Sequence, residues 1–401
     1  MEYKKIKNDI YWIGALDPDL RVFDIVMNTP YGTSYNSYLI KGSEKTAIIE
    51  TVKENFFDEY IERLKSLNVD LSKIDYIIAN HTEPDHAGSY GKLIDIAKNA
   101  KIVGSASAIN FLKNITNKNF ESIIVKDNDT ISLGNKTLKF ISAPFLHWPD
   151  TMYTYDEEDA VLFTCDSFGS HYCCKGIFND TIENKDEYLD SVKHYFDCIV
   201  SPFKPFVLKA LQNVKSKNIK IDMICPGHGP VLKDKPEEIV SLYEKWSTPL
   251  KKGNKKKIVI SYVSAYGYTK IIADEIEKGI KSAGDFEIEK YNVIESSSQK
   301  ILDSIENADG LLFGSPTINQ DALKPIMELL ISMNPIVHGK KLAAAFGSYG
   351  WSGEAVKNIE ERLKQLKMKV FEPGLKVKFK PSDEDLNKAF EFGKDFAQKL
   401  I

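Results

Sequence analysis

Four side chains able to hold a metal ion fall within six consecutive positions, His81-Thr82-Glu83-Pro84-Asp85-His86. Imidazoles and carboxylates packed so closely repel or waste one another unless a cation holds them. Pro84 stiffens the segment, and Gly88 permits a tight entry into the helix expected next. Three further candidates stand apart: His147 in Phe145-Leu146-His147-Trp148-Pro149-Asp150, Asp166 after the apolar run Val161–Cys165, and His228 in Cys225-Pro226-Gly227-His228-Gly229-Pro230. Each follows a strand-like segment, so one sheet edge can gather all seven. They use four of the chain's seven histidines, a concentration that packing alone does not call for. Four imidazoles with three carboxylates form a hard donor set, which shifts preference from zinc toward iron or manganese. The chemistry such a donor set favours is redox chemistry rather than hydrolysis.

A second constellation lies in the last third of the chain. Ser264-Ala265-Tyr266-Gly267-Tyr268-Thr269 follows an apolar strand and opens a helix. Its hydroxyls and backbone N–H groups suit a phosphate dianion at a helix N-terminus. It is neither G-x-G-x-x-G nor a Walker loop, which disfavours dinucleotides and ATP. Gly314-Ser315-Pro316-Thr317-Ile318-Asn319-Gln320 and Gly347-Ser348-Tyr349-Gly350-Trp351-Ser352-Gly353 follow two later strands, at the same sheet edge. Backbone amides and Asn319 offer polar contacts there, and Tyr349 or Trp351 an aromatic face for a planar ligand.

The elements that must position these groups follow from the hydrophobic pattern. The chain has 401 residues, 43% hydrophobic and 27% charged, enough for two domains with substantial cores. Lys251-Lys252-Gly253-Asn254-Lys255-Lys256-Lys257 breaks the composition, which divides the chain into 1–250 and 251–401. The first part reads as strands at Ile10–Ile13, Ser37–Ile40, Thr46–Glu50, Tyr76–Ala79, Lys101–Gly104, Leu138–Ser142 and Ala160–Cys165, with helices such as Phe56–Leu67 and Gly88–Ala97 between them. That mixture suits two sheets face to face with helices outside. The second part alternates strands Ile258–Val263, Gly310–Gly314 and Lys341–Gly347 with helices Lys270–Ser282, Ala322–Met333 and Ser352–Leu366, the pattern of a doubly wound parallel sheet.

Composition excludes other classes. A net charge of −4 argues against sequence-independent nucleic-acid binding. No apolar run nears the ~20 residues of a membrane span, and the polar N-terminus does not read as a signal peptide. Five cysteines without a C-x-x-C pair indicate neither a disulfide framework nor a rubredoxin-type site, so a reducing cytoplasm is expected. Cys165 reads as a small buried hydrophobe, and His194 and His338 as structural.

The series H-x-E-x-D-H, His147, Asp166, His228 resembles the metallo-β-lactamase superfamily, whose usual dizinc motif is H-x-H-x-D-H; Glu83 replaces the middle histidine. The three later loops resemble those of a flavodoxin, which implies FMN. Fused in this order, the halves resemble the flavodiiron proteins, or A-type flavoproteins. The resemblance implies a metallo-β-lactamase-like αββα sandwich followed by a flavodoxin-like domain. It implies reduction of O2 to water, of NO to N2O, or both, with electrons passing from FMN to a non-haem diiron centre. His81, Glu83 and His147 would hold one iron, Asp85, His86 and His228 the other, and Asp166 would bridge them. Tyr195 and His171 fall where the substrate pocket is expected. The resemblance also implies head-to-tail homodimers, or dimers of dimers. The expected donor is a separate rubredoxin, or reduced coenzyme F420. The lysines 251–257 offer a docking site for an acidic rubredoxin. Two rivals remain. A dizinc hydrolase with an attached flavodoxin is opposed by Glu83 and by the lack of a hydrolase-type lysine near His147. A pure electron carrier has no need of seven coordinating residues.

Overall fold

A computed structural model describes residues 3–25, 27–249 and 255–401. The chain separates into two compact units, Met1–Pro249 and Leu250–Ile401. The proposed lysine docking segment lies largely outside the described residues. Among the described residues no helix is long and apolar enough to cross a membrane.

The first unit is built on two sheets. Seven strands, Lys4–Lys7, Ile10–Trp12, Tyr38–Lys41, Thr46–Ile49, Tyr76–Ala79, Lys101–Gly104 and Ser122–Ile124, pair in that spatial order. Five more, Thr130–Ser132, Thr137–Ser142, Met152–Asp156, Val161–Cys165 and Met223–Pro226, form the second sheet. Side chains alternate across each strand. Ile78, Val103 and Ile49 therefore meet Phe140, Val161, Phe163 and Met223 between the sheets. Their neighbours Ile77, Ile102 and Ile48 face outward to Tyr60, Ile61 and Leu64 of helix Phe57–Ser66. On the far side, Ile141, Leu162 and Ile224 pack on Val192, Val207, Leu211 and Ile239 of helices Lys185–Tyr195, Lys204–Ser216 and Pro236–Ser247. The result is the αββα sandwich. Both faces of the central strands are covered, which is why Tyr76–Ala79 and Val161–Cys165 read as unbroken apolar runs.

The second unit is one parallel sheet in the spatial order Glu287–Asn292, Lys257–Tyr262, Gly310–Gly314, Leu342–Tyr349, Lys369–Lys378. By position in the chain that order is 2-1-3-4-5, the flavodoxin-like arrangement. Helices Ser298–Glu306, Lys324–Ser332 and Glu354–Gln365 cover one face, and Tyr268–Ala283 and Asp383–Gln398 the other. The last two cross at paired glycines. A Cβ on Gly279 would lie 1.9 Å from the Phe390 carbonyl oxygen, and one on Gly393 2.2 Å from that of Ile276.

Some elements begin later than their pattern suggests. The helix expected from Ala322 starts at Lys324, because Asp321–Ala322 pairs with Thr317–Ile318 in a hairpin. The helix expected from Ser352 starts at Glu354, after Gly353 at φ +82°. The helix expected over Gly88–Ala97 spans Tyr90–Ile96, and a separate short helix, Pro84–Ala87, precedes it.

Candidate functional site

Strand Tyr76–Ala79 delivers the chain to Asn80 and His81. Glu83 is extended, and Pro84 starts a one-turn helix that carries Asp85 and His86. His147 follows strand Thr137–Ser142, Asp166 follows Val161–Cys165, and His228 follows Met223–Pro226. All seven ligand candidates therefore leave the ends of strands, and they converge. His81, Glu83, His147 and Asp166 form one cluster with donor atoms within 4.8 Å of one another, and Asp85, His86 and His228 form a second. Asp166 faces both. Its Oδ2 lies 3.4 Å from His81 Nε2 and 3.3 Å from His147 Nε2, while its Oδ1 lies 3.1 Å from His86 Nε2 and 3.6 Å from His228 Nε2. Glu83 Oε2 is 2.9 Å from His147 Nε2, and Asp85 Oδ2 is 2.9 Å from His228 Nε2. Glu83 and His147 are half-buried; the other five are buried.

These groups are poorly satisfied by one another. Both Asp85 oxygens, Asp166 Oδ1 and His86 Nε2 are buried without a hydrogen-bond partner. Unpartnered buried carboxylates are costly. Burial opposes charge on His86, but Asp85 and Asp166 overcome it and raise its pKa to about 10. Burial likewise works against Asp85, and His86 and His228 overcome it, holding its carboxyl at about 2. Two divalent cations would take the place of the imidazole protons and give the orphaned oxygens partners. The donor set fits a dinuclear iron site.

Groups behind the ligands fix their orientation. His228 Nδ1–H donates to the Ser34 carbonyl at 2.7 Å, which leaves Nε2 free to ligate. His81 Nδ1 lies 3.3 Å from Asp150 Oδ2, which also accepts from Thr82 Oγ1. Glu50 Oε1 accepts from the backbone N–H groups of Asn80 and His81. His86 Nδ1 sits 3.7 Å from Cys165 Sγ. Cys165 is at φ +48° and Glu50 at φ +60°, a left-handed conformation that few non-glycine residues adopt. Nothing beside Glu50, Asp150 or Ser34 in the chain marks them as supports, since a lone polar side chain or a backbone carbonyl carries no motif.

His171 and Tyr195 lie on the His228 side. The His171 ring centroid is 5.0 Å from that of His228, 4.9 Å from Tyr195 and 4.3 Å from Phe23. Thr33 Oγ1 is 2.8 Å from His171 Nδ1, while His171 Nε2 and Tyr195 Oη are buried without partners. Burial, then His228, keep the His171 imidazole neutral, well below its ordinary pKa. Tyr195 ends its helix where the backbone widens into a π-helical turn, Phe196–Val200. Phe23 belongs to a small hairpin, Val22–Phe23 with Met27–Asn28. In the same hairpin, burial raises the Asp24 carboxyl above its ordinary pKa, and Glu83 and Asp85 add to the shift.

The second unit gathers the three loops at the carboxyl ends of its strands. Ser264 Oγ accepts from Lys270 N–H, and Thr269 Oγ1 is 2.9 Å from Ser348 Oγ, which ties the first loop to the third. Thr317 Oγ1 accepts from Ala355 N–H, which ties the second loop to the first turn of the helix that follows the third. Asn319 and Gln320, at φ +54° and +62°, make the tight turn of the Thr317–Ile318 hairpin. Gly267 is at φ +85°, and a Cβ there would meet nothing within 4 Å, so open space faces the start of helix Tyr268–Ala283. Tyr349 packs beside Gly353, and Ala265, Tyr268, Pro316, Ile318, Gly350 and Ser352 complete the three loops. Tyr266 is 82% and Trp351 90% exposed, so neither is committed to the core. A helix N-terminus with open space before it, beside free aromatic faces, fits FMN.

The two units match two different families. The family described as ODP family beta lactamase matches residues 33–229, and flavodoxin matches residues 260–393. The chain is 46% identical over 401 residues to flavo-diiron protein FprA2 of Clostridium acetobutylicum, covering 99% of each chain. It is 36% identical over 401 residues to a nitric oxide reductase of Moorella thermoacetica, covering 98% of each. The solved rubredoxin oxygen:oxidoreductase of Desulfovibrio gigas superposes with a TM-score of 0.72 at 29% identity, over 99% of this chain and 98% of that one.

Proposed function

Because the chain belongs to the flavodiiron proteins, we propose that it is an oxidoreductase that reduces O2 to water, NO to N2O, or both. The observation that carries this reading is Asp166, whose two carboxylate oxygens each face a separate cluster of imidazole and carboxylate donors. When bound, two irons and one FMN supply the storage and stepwise transfer of electrons that such reductions need. His81, Glu83 and His147 would hold one iron, Asp85, His86 and His228 the other, with Asp166 spanning both. The Ser34 carbonyl and Asp150 keep His228 and His81 turned toward their irons. His171 and Tyr195 present their unpartnered Nε2 and hydroxyl beside His228, where they orient substrate and pass protons. In the second unit the loop Ser264–Thr269 would hold the FMN phosphate, and Pro316–Asn319 and Ser348–Gly353 would hold its ring system, with Tyr349 or Trp351 offering an aromatic face.

Rubredoxin is the proposed electron donor, with reduced F420 as the alternative. A head-to-tail homodimer, alone or doubled, would bring the flavin of one subunit to the irons of its partner. Five cysteines without a disulfide suit the cytoplasm. The test is anaerobic NO consumption, beside O2 consumption, by protein of known iron and flavin content, with reduced rubredoxin and reduced F420 in parallel. About two irons and one FMN per chain with turnover of either gas supports the reading. Zinc in place of iron, with neither gas consumed, moves the hydrolase to the front.

A further inference from the structure

A cavity of about 170 Å³ opens beside the first-unit site, lined by Asn28, Tyr31, His171, Asp190, Ser191, His194 and Tyr195 among others. Its two ends differ in burial. Asp190 and His194, one turn apart on helix Lys185–Tyr195, are exposed at the mouth. His171 and Tyr195, both buried, form the wall between the cavity and His228, whose ring both face at 5.0 and 6.2 Å between centroids. That wall carries two polar atoms without a protein partner, His171 Nε2 and Tyr195 Oη. A space of this size holds several waters at roughly 30 Å³ each, and a water is retained where it finds polar partners. The walls supply them.

We propose that this cavity is the route by which protons from solvent reach the first-unit site, with Asp190 and His194 collecting them at the mouth. The proposal rests on the reductase reading above. Reducing two NO to one N2O and one water takes up two protons with two electrons. Reducing O2 to two waters takes up four of each. Asp85, His86 and His228, the ligands on the cavity's side, are buried, so protons bound for that cluster must cross protein. His194 is suited to the mouth. Its Nε2–H donates to the Asn28 carbonyl at 3.1 Å, which leaves Nδ1 to accept a proton. The groups around it are Asp190 one turn earlier, Cys198 one turn later with Sγ at 3.8 Å, Tyr31 from the neighbouring loop, and His171 and Tyr195 across the cavity. Lys193 and Asp197 are paired with each other. Ser191 also lines the cavity, and its hydroxyl donates to the His171 carbonyl at 2.8 Å, which ties the helix to the segment carrying His171.

Two readouts test the route. The first needs no turnover: a high-resolution crystal structure of the iron- and FMN-loaded protein. A file of hydrogen-bonded waters from His194 to His171 Nε2 and Tyr195 Oη is expected, and a dry cavity overturns the proposal. The second compares the wild type with Ser191→Leu, which fills the cavity, and with the exposed-site double variant Asp190→Asn/His194→Gln, at matched iron and FMN content. Both variants should lose about a hundredfold in kcat, the lower end of what a positioned proton-transfer group contributes. The KM for gas should hold and the solvent deuterium isotope effect should rise. Added imidazole should restore the double variant but not Ser191→Leu. Unchanged kcat in both variants of an active protein overturns the route alone, as does a raised KM with kcat intact, which would make the cavity a gas passage. A wild type that consumes neither gas overturns the functional reading first.

Discussion

Asp150 stands 3.3 Å behind His81, its Oδ2 at the imidazole Nδ1 while the opposite nitrogen faces Glu83 and Asp166. A buried carboxylate in that position holds the ring in one tautomer and strengthens its donor atom. Asp150→Ala should weaken iron binding roughly 10- to 100-fold while leaving the fold intact. Iron retained after dialysis against a graded chelator, beside an unchanged circular dichroism spectrum, checks this. Full iron retention would show that Thr82 and the backbone suffice.

Asp166 and His147 should differ in what their loss does. Asp166 faces both clusters, whereas His147 lies in one. Asp166→Ala should therefore lower iron content at both positions, and His147→Ala at one. Mössbauer spectra of iron-57-loaded protein distinguish a half-filled site from an empty one. Equal losses in the two variants would refute a shared Asp166.

The metal-free protein should lose stability as pH rises. In that state His86 has a pKa of about 10 and His147 about 9, both above the ordinary imidazole value of about 6.5. Groups raised in this way stabilise the folded state fully below their unfolded pKa. The benefit fades as pH climbs through the folded one. Melting of chelator-treated protein should thus shift down between about pH 6.5 and 10, and His86→Gln should flatten the trend. Iron binding releases those protons, so the loaded protein should bind iron more tightly over the same range. An apoprotein whose melting temperature rose with pH would contradict this.

Thr269 and Ser348 join two of the flavin loops through a buried hydroxyl pair. Thr269→Val keeps the shape and removes one partner, at about 1 kcal/mol, or roughly a fivefold weaker FMN Kd. Fluorescence titration of the flavin-free protein measures it. An unchanged Kd would mean that the loops are held by other contacts.

Much of this was legible in the residues. Tyr76–Ala79, Lys101–Gly104 and Gly310–Gly314 sit where their apolar runs place them, since strands covered on both faces announce themselves. The seven ligand candidates were legible because metal donors at strand ends have few other uses. Strand Glu287–Asn292 was not. It is an edge strand carrying Glu287, Glu289 and Lys290, whose charges erase the apolar signal. Strand Lys369–Lys378 is the opposite edge and is interrupted by Pro373 and Gly374. Asp150, Glu50 and Ser34 stayed hidden for a different reason. Their partners lie 69, 31 and 194 residues away, and only the folded chain brings them together. His194 read as structural because nothing beside it in the chain marks a cavity mouth.

The glycine crossing of the second unit reaches further than packing. Helix Tyr268–Ala283 begins at the loop proposed for the flavin phosphate, and further along, at Gly279, it is crossed closely by the helix Asp383–Gln398. Trimming residues at the end of the protein, far along the helix from the cofactor loop, would loosen the cofactor's hold without altering a single group that touches it.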